Sequence, residues 1–421
     1  MTDTTASTSG TPLSKLADRP NVNNVLVFVS DAMRYDFLPD EVRQLGVTAK
    51  AISASTFTAS SIPSLTTGLY PATHGVWMFD DRLPERPPLL DDDAYDVGFD
   101  TETVWIELDA PDKPPLQINH VDTERTIEDL EPPFVNFVHD VGPHAPYGFE
   151  NGVFESTKEF FRTHERRRPQ LVNLYRQDCH NSAQRFLRLY ERLSEDGLLD
   201  ETLVVFTSDH GQCLGEWTNG GRFGHGHPMA PENVEVPVVF AGAGLPEGET
   251  YDPLLSGVDV APTVISAQRG EPPADVDGVD LWRSTPRPTR KVRSDVWQHL
   301  DVDVAGRAVE LSVYAATSAW NRSGGYVFHR KSSVQRLGAI GYDNVFRGYS
   351  PAWLGNLSPT KALNMLSIAL TSSMTYGAPD FSRDEAQRVV PSRLEQATHE
   401  ASDAGLSDEQ KTQLRDLGYL Q

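Results

Sequence analysis

Carboxylate and imidazole side chains follow three short apolar runs of the sequence, at the point where each run ends. The runs are Val25–Val29, Phe134–Val138 and Leu203–Phe206. The polar residues that follow them are Asp31 after the first run, His139, Asp140 and His144 after the second, and Asp209 and His210 after the third. Ligands of open α/β sheets bind just outside the carboxyl ends of the strands, so we expect these side chains to line one site. Taken singly, each has a structural alternative, because an Asp after a strand often caps a helix and a lone His is often satisfied in the core.

A hydroxyl-rich segment, Thr58–Gly75, lies between the first two runs and has the features of a helix N-terminus. Ser60 and Ser61 come before Pro63, and Gly68 is a helix stop signal. A hydroxyl at a helix N-terminus lies in a positive field, which stabilises its alkoxide and attracts an anionic ester. The same geometry also fits a serine that only caps the helix.

The elements that must position these residues are predicted from the apolar pattern. The three runs and a fourth, Val236–Phe240, are continuous and alternate with helix-length segments, which is typical of strands buried on both faces of a largely parallel sheet. Apolar residues at helical spacing predict a long helix over about 170–194, leading into the Leu203 strand. We therefore predict an α/β fold, with a mostly parallel central sheet flanked by helices and a small C-terminal α+β subdomain.

Composition shifts suggest how the chain is divided. Residues 1–20 are expected to be a disordered lead, and residues 21–285 to form the catalytic domain. A Pro-rich, basic stretch at Ser284–Lys291 predicts a linker to a smaller subdomain over residues 292–421. Within that subdomain Leu311–Thr317 and Gly325–His329 are predicted to form a hairpin, and Ser407–Leu417 a closing helix.

The composition excludes several classes of function. The 421 residues carry 60 acidic against 37 basic side chains, a net charge of -23, which argues against a general binder of nucleic acid or anionic membranes. Two cysteines, Cys179 and Cys213, are too few for a disulfide framework or a cysteine metal cage. No apolar stretch is long enough to span a bilayer, and residues 1–20 carry no export signal. We therefore expect a soluble cytoplasmic protein without membrane insertion.

The order of these motifs resembles the sulfatase family of the alkaline phosphatase superfamily. That family has a strand ending in Asp, a nucleophile two residues before Pro-Ser, a His-x-Pro-Tyr segment and a Ser-Asp-His-Gly segment. The matching residues here are Asp31, Ser61 with Pro63 and Ser64, His144 with Pro146 and Tyr147, and Ser208–Gly211. Phe223–Gly226 and Val258–Thr263 also agree with the family pattern. The resemblance covers about residues 22–285 and the C-terminal tail.

The resemblance implies a metal-dependent ester hydrolase. Asp31, Asp209 and His210 would hold a divalent cation, for which oxygen-rich ligation favours Ca²⁺, Mg²⁺ or Mn²⁺ and the imidazoles admit Zn²⁺. Ser61 stands at the nucleophile position, as itself or as a formylglycine precursor. His144 would assist the leaving group or bind the anion, and His225 would contact a sulfuryl or phosphoryl oxygen. The implied substrate is a sulfate or phosphate ester of a small molecule or glycan.

Three departures from the family pattern bear on this expectation. Leu65 stands where formylglycine formation requires Arg, and Ala32 stands where the family has a second metal-binding Asp. The Gly-Lys-Trp-His segment that supplies a Lys and a His to the substrate anion has no counterpart. An unmodified Ser61 is still able to attack phosphorus, so phosphate is at least as plausible as sulfate.

Two alternatives to a sulfatase-type hydrolase of sulfate or phosphate esters therefore stay open. One is a phosphodiesterase or phosphotransferase of the same superfamily, in which Asp140 and His144 have the Asp-x-x-x-His spacing of a second metal site, completed by His225 or His227. His139 is a further candidate for a second metal or for substrate. The other is a catalytically degenerate member that keeps the fold as a binding protein.

Overall fold

The computed structural model describes residues 10–18, 20–101, 103–104, 108–110, 112–148, 156–163, 167–303, 308–346, 349–394 and 406–417. Fourteen strands lie within these residues. They are β1 Asn24–Ser30, β2 Gly46–Ile52, β3 Asp96–Asp100, β4 Phe134–Asp140, β5 Thr202–Thr207, β6 Cys213–Leu214, β7 Phe223–Gly224, β8 Glu235–Gly242, β9 Glu249–Thr250, β10 Leu255–Ser256, β11 Val292–Asp303, β12 Ala308–Asn321, β13 Gly324–His329 and β14 Ser373–Gly377.

Thirteen α-helices accompany these strands in the described part of the chain. They are α1 Asp40–Arg43, α2 Thr58–Thr67, α3 Pro71–His74, α4 Pro114–Ile118, α5 Thr157–Thr163, α6 Arg168–Glu195, α7 Pro231–Val234, α8 Val260–Arg269, α9 Ser333–Phe346, α10 Ser350–Asn356, α11 Pro359–Leu370, α12 Arg383–Val389 and α13 Asp408–Asp416. Short 3₁₀ turns cover Leu13–Lys15, Tyr35–Phe37, Ile127–Asp129, Leu199–Glu201 and Gly257–Asp259.

The central sheet confirms the predicted α/β architecture. Its strand order is β10-β2-β8-β5-β1-β4-β3, and β9 pairs with β2. The four predicted strands form β1, β4, β5 and β8. Strands β1, β3, β4 and β5 are mutually parallel neighbours, but β8 runs antiparallel to both β5 and β2. The apolar run of β8 is continuous because the strand is buried on both faces, and burial of this kind does not reveal strand direction.

Helices cover both faces of this sheet, as its continuous apolar strands require. Alternate residues of β1 point to opposite sides, so Val27 packs in one core and Phe28 in the other. The Val27 face is covered by α2 and α8, and the Phe28 face by α6. Helix α6 begins and ends within two residues of the predicted helix, which is confirmed.

A second, antiparallel sheet has the order β11-β12-β13-β14. The predicted hairpin is confirmed as β12 and β13, with Asn321 paired to Gly324 across the turn. Gly324 is required there because a Cβ would lie 2.2 Å from the carbonyl oxygen of Tyr376. The sheet shares an apolar core with the first part of the chain, in which the Trp77 and Trp297 ring centroids lie 5.9 Å apart. The proposed boundary between residues 285 and 292 stays a prediction.

The described part of the expected disordered lead is packed against the fold. Leu13 is fully buried, and its backbone N–H donates to the Leu281 carbonyl at 2.9 Å. The N–H groups of Ser14 and Asp18 also donate to the carbonyl oxygens of Trp282 and Gly244, at 3.1 and 2.9 Å, while residues 1–9 lie outside the described residues. The closing helix is confirmed as α13, which Ser407 caps by accepting the Gln410 N–H. Within the described residues, no helix has the length and apolarity needed to cross a bilayer.

Candidate active site

Three adjacent parallel strands bring the predicted carboxylates and imidazoles together. Val29 of β1 pairs with His139 of β4 on one side and with Thr207 of β5 on the other. Asp31 follows β1 directly, and Asp209 and His210 follow β5, so the ends of the three strands meet at one edge of the sheet. This in-register arrangement confirms the sequence-based expectation that the polar clusters lie at a common edge.

The central group of the site consists of Asp31, His139, Asp209 and His210. His139 Nε2 donates to Asp31 Oδ2 at 3.2 Å, and His210 Nε2 lies 3.7 Å from Asp31 Oδ1 and 3.5 Å from Asp209 Oδ2. Asp31, His139 and Asp209 each offer one ligand atom, and these atoms all lie within 4.8 Å of one another. All four side chains are buried. We call these four residues the carboxylate–imidazole cluster.

The cluster has the properties of a cation site. Asp209 Oδ1 accepts the backbone N–H groups of Ala32 at 3.1 Å and His210 at 2.8 Å, whereas its Oδ2 is buried without a hydrogen-bond partner among the described residues. Two carboxylates buried side by side repel each other, and an uncompensated buried charge is costly. A divalent cation would relieve both penalties, so the residues present fit a metal ion.

The electrostatics of the two carboxyl groups differ. Burial opposes ionisation of Asp31, but the imidazoles of His144, His139 and His210 outweigh it and lower the pKa of Asp31. Burial and the charge of Asp31 raise the pKa of Asp209. Burial by itself would lower the pKa of His139, but the hydrogen bond to Asp31 and the charges of Asp31, Asp209 and Asp140 together raise it. A bound cation would act in the opposite direction and favour the unprotonated form of these groups.

Ser61 lies in the first turn of α2, against the cluster. Its Oγ donates to the backbone carbonyl oxygen of Asp209 at 2.5 Å, and Thr58 Oγ1 lies 3.1 Å from His210 Nε2. Gly68 ends the helix in a left-handed conformation, with its N–H donating to the Ser64 carbonyl oxygen, as expected of a glycine stop. The N-cap residue is Phe57 and no side chain of the described residues caps the helix, so the alternative of a serine that only caps it is wrong. The Ser61 hydroxyl is thus held on the backbone of Asp209, in the positive field of the helix N-terminus.

His144 and His225 form a second group next to the cluster. Their Nε2 atoms lie 3.0 Å apart, and the His225 ring stacks on the His210 ring at a centroid distance of 4.4 Å. His144 Nδ1 lies 2.7 Å from the Ala145 carbonyl oxygen, and His225 Nδ1 lies 3.4 Å from that of Thr56. Burial lowers the pKa of both imidazoles. The two Nε2 atoms thus lie within hydrogen-bonding distance, with one ring donating to the other.

Asp140 and His227 are engaged elsewhere. The Asp140 carboxylate accepts the Arg185 guanidinium at 2.5 and 2.9 Å and the Ser182 hydroxyl at 2.6 Å. The His227 ring contacts the Arg222 guanidinium and stacks on the Tyr314 ring at 4.8 Å. Neither residue belongs to the metal-compatible group found among the described residues, so the idea of a second ion at Asp140 gains no support from the geometry.

Sequence reasoning underestimated His139 and missed Thr58. His139 was assigned only to a second metal or to substrate, yet its imidazole lies within the same group as Asp31 and Asp209. His139 is the penultimate residue of β4, which runs parallel to the strand that ends just before Asp31. This position indicates that its side chain lies near Asp31. Thr58 carried no signal beyond its position at the start of the helix.

Comparison with known proteins gives matches over part or nearly all of the chain. The family model described as Sulfatase matches residues 117–269. The low-salt glycan biosynthesis sulfotransferase Agl7 of Haloferax volcanii is 43% identical over 411 residues, which cover 97% of this chain and 99% of that protein. An uncharacterized sulfatase, YdeN of Escherichia coli, is 28% identical over 168 residues, which cover 39% of this chain and 28% of that protein.

Two solved structures share the fold at low sequence identity. A phosphonate monoester hydrolase from Silicibacter pomeroyi has a TM-score of 0.53 at 15% identity, covering 73% of this chain and 87% of its own. The protein BT4656, in complex with its substrate D-glucosamine-2-N,6-O-disulfate, has a TM-score of 0.51 at 15% identity, covering 73% of this chain and 88% of its own.

Proposed function

Because the chain belongs to the sulfatase family of the alkaline phosphatase superfamily, and so is an enzyme of the ester-hydrolase class, we propose that it cleaves a glycan sulfate ester through Ser61. The observation that carries this proposal is the 2.5 Å hydrogen bond that holds Ser61 Oγ on Asp209, beside the carboxylate–imidazole cluster. We propose a glycan as the substrate because one relative is named for glycan biosynthesis and one structural neighbour is bound to a glucosamine disulfate.

We assign the carboxylate–imidazole cluster to a divalent cation. Asp31, Asp209 and His139 would be its ligands, and the orphaned Asp209 Oδ2 supports this assignment. His210 would be a fourth ligand, because its Nε2 lies 3.7 Å from Asp31 Oδ1 and 3.5 Å from Asp209 Oδ2. When bound, such an ion neutralises negative charge on the ester and lowers the pKa of a neighbouring hydroxyl. The residues themselves hold Ser61 in place and surround the reacting atoms with buried groups, which keeps bulk water out.

The first step is a transfer of the sulfuryl group to Ser61. A bond forms between Ser61 Oγ and sulfur while the bond between sulfur and the alcohol oxygen of the substrate breaks. The leaving alcohol takes a proton from the His144–His225 pair, and the proton lost by the Ser61 hydroxyl restores the proton of that pair. Protons and charge therefore balance, and the step yields a seryl sulfate with the free alcohol.

The acceptor in the second step decides whether the reaction is hydrolysis or transfer. A serine lacks the second hydroxyl of a hydrated formylglycine, so a seryl sulfate is discharged only by a nucleophile that attacks sulfur. Water makes the reaction a hydrolysis. A glycan hydroxyl makes it a sulfuryl transfer, which is our second candidate. The match over 97% of this chain, at 43% identity, to a protein named as a glycan biosynthesis sulfotransferase favours it.

The experiment that tests the proposal starts with the mass of the Ser61 peptide and continues with a substrate panel. We expect unmodified serine, because Leu65 replaces the Arg of the formylglycine motif. The panel compares an aryl sulfate, an aryl phosphate and a sulfated monosaccharide, each with and without an acceptor glycan. Sulfate release, or acceptor sulfation, is expected only from the sulfate esters.

Three outcomes would count against the proposal. Turnover of the aryl phosphate alone would assign the site to phosphate esters. A formylglycine at residue 61 would mean that the hydrated aldehyde, and not an unmodified serine, attacks the sulfate ester. Silence with all substrates in protein that has bound a cation would favour a binding protein that keeps the fold.

A further inference from the structure

The carboxylate–imidazole cluster offers as many imidazoles as carboxylates. Asp31 and Asp209 supply carboxylate oxygens, and His139 and His210 supply ring nitrogens at 3.2 to 3.7 Å from those oxygens. His139 reaches the cluster from β4, where it is fully buried and paired in register with Val29. It is therefore held by the sheet itself rather than by a loop.

Ala32 removes an oxygen ligand from the same place. It follows Asp31 directly and is fully buried, but its methyl group offers no ligand atom. Its backbone has a left-handed conformation, with φ of 63°, and its N–H donates to Asp209 Oδ1. The turn after β1 thus orients Asp209 through the backbone and contributes only the Asp31 carboxylate to the cluster.

Two oxygen-bearing side chains of the site, Asp140 and Ser61, are already engaged in other hydrogen bonds. The Asp140 carboxylate is held by Arg185 and Ser182, and the Ser61 hydroxyl donates to the Asp209 carbonyl. Calcium normally requires six to eight oxygen ligands, and magnesium an octahedron of oxygens. Mixed imidazole and carboxylate ligation suits first-row transition ions, for which nitrogen ligands raise the affinity.

From this ligand set we propose that the site selects a first-row transition-metal ion over Ca²⁺ and Mg²⁺, and that His139 is the residue that determines this selectivity. The inference rests on the proposed function only in placing a cation at the cluster. His210 alone would leave one nitrogen among oxygen ligands.

Metal titration of the metal-free full-length protein tests the inference without any enzymatic assay. Isothermal titrations with Zn²⁺, Mn²⁺ and Ca²⁺ give the affinity ratios, and Co²⁺ reports its ligands through visible absorption bands. We expect Zn²⁺ to bind on the order of 100-fold or more tighter than Ca²⁺. We also expect Co²⁺ bands of the intensity typical of nitrogen-containing sites of low coordination number.

The variant that tests the role of His139 is His139→Asp, which replaces one nitrogen ligand by oxygen. We expect this variant to bind Zn²⁺ roughly 10- to 100-fold more weakly, so that the ratio of Zn²⁺ affinity to Ca²⁺ affinity falls. The matched control is His180→Asp on the exposed side of α6, where His180 contacts only Glu41 among the described residues, and this variant should keep the wild-type ratio. If His139→Asp does not fold, the Zn²⁺/Ca²⁺ affinity ratio and the Co²⁺ spectrum of the wild type still test whether the site selects a transition-metal ion.

The results separate this inference from the proposed function. Equal affinity for Ca²⁺ and Zn²⁺ in the wild type, or an unchanged ratio in folded His139→Asp, would overturn the inference even if sulfate esters are cleaved. Selective binding of the transition ion by a protein that cleaves no sulfate ester would instead contradict the proposed function and leave the inference standing.

Discussion

The Nε2 atoms of His144 and His225 lie 3.0 Å apart in the buried centre of the site. Each ring directs its Nδ1 toward a backbone carbonyl oxygen, which can only accept a hydrogen bond. At this distance the two Nε2 atoms share one hydrogen, which one ring donates and the other accepts. In the mechanism that we propose this is the proton that passes to the leaving alcohol, and the stacking of His225 on His210 places the pair next to the cluster.

Replacing His144 should affect esters according to their leaving group. We expect His144→Gln to lower kcat by about 10²- to 10³-fold for a sulfate ester of an alkyl alcohol, which needs a proton to leave. An activated nitrophenyl sulfate, whose leaving group is stable as an anion, should lose only a few-fold. Steady-state kinetics on both substrates, with His180→Gln as the surface control, check the prediction. Equal losses on the two esters would mean that His144 acts in binding rather than as an acid.

Removing the Ser61 hydroxyl should abolish turnover without removing the cation. We expect Ser61→Ala to lose at least about 10³-fold in kcat, because no covalent intermediate forms. Ser60→Ala is the matched control, since Ser60 Oγ bonds only Ser55 and the Phe57 carbonyl among the described residues. Mass spectrometry after quenching should detect a sulfated Ser61 peptide in the wild type and none in Ser61→Ala. Comparable turnover in Ser61→Ala and Ser60→Ala would assign the nucleophile elsewhere.

Breaking the Asp140 pair should cost stability and leave the cation in place. Asp140 and Arg185 form a largely buried ion pair, and removing one partner leaves an uncompensated charge. We expect Asp140→Asn to lower the free energy of unfolding by about 3 kcal/mol. Glu128→Gln, which breaks the exposed pair with Arg192, should cost under about 1 kcal/mol. Denaturant titration and metal content test both; loss of the bound cation from a stable Asp140→Asn protein would restore Asp140 as a ligand.

The buried carboxyl group of Asp178 should make stability fall as pH rises. Burial raises the pKa of Asp178 to about 7, although it accepts the Gly148 N–H at 2.6 Å. The folded state therefore binds a proton that the unfolded chain has released, and this contribution is complete below about pH 4 and is lost as pH rises to about 7. Asp178→Asn removes the dependence while its amide oxygen is able to keep the Gly148 bond.

We expect Asp178→Asn to match the wild type near pH 4 and to exceed it at pH 8, by at most about 4 kcal/mol in free energy of unfolding. Denaturant titrations of metal-free protein at both pH values measure the difference. Asp40→Asn, at an exposed carboxylate, controls for the loss of one negative charge. A constant difference between Asp178→Asn and wild type across this range would contradict the pKa assignment.

The fold was largely predictable because its strands are buried on both faces and its long helix has a clear apolar period. Strands β1, β4, β5 and β8 and helix α6 were identified from these local patterns. The antiparallel direction of β8 was not, since a continuous apolar run looks the same in either direction. The packing of Leu13 was also missed, because its partner, Leu281, lies far along the chain.

By itself the sequence determined which chemistry the chain is able to perform: a serine at a helix N-terminus, and carboxylates and imidazoles just after apolar strands. Only the tertiary structure decided which of these side chains meet. Strand register brought His139 to Asp31, a turn placed His225 against His144, and Arg185 of α6 engaged the carboxylate of Asp140. The physical reason is range. Propensity and periodicity act over one or two turns of chain, whereas the grouping of these residues depends on how sheet pairing and helix packing align segments distant in the sequence.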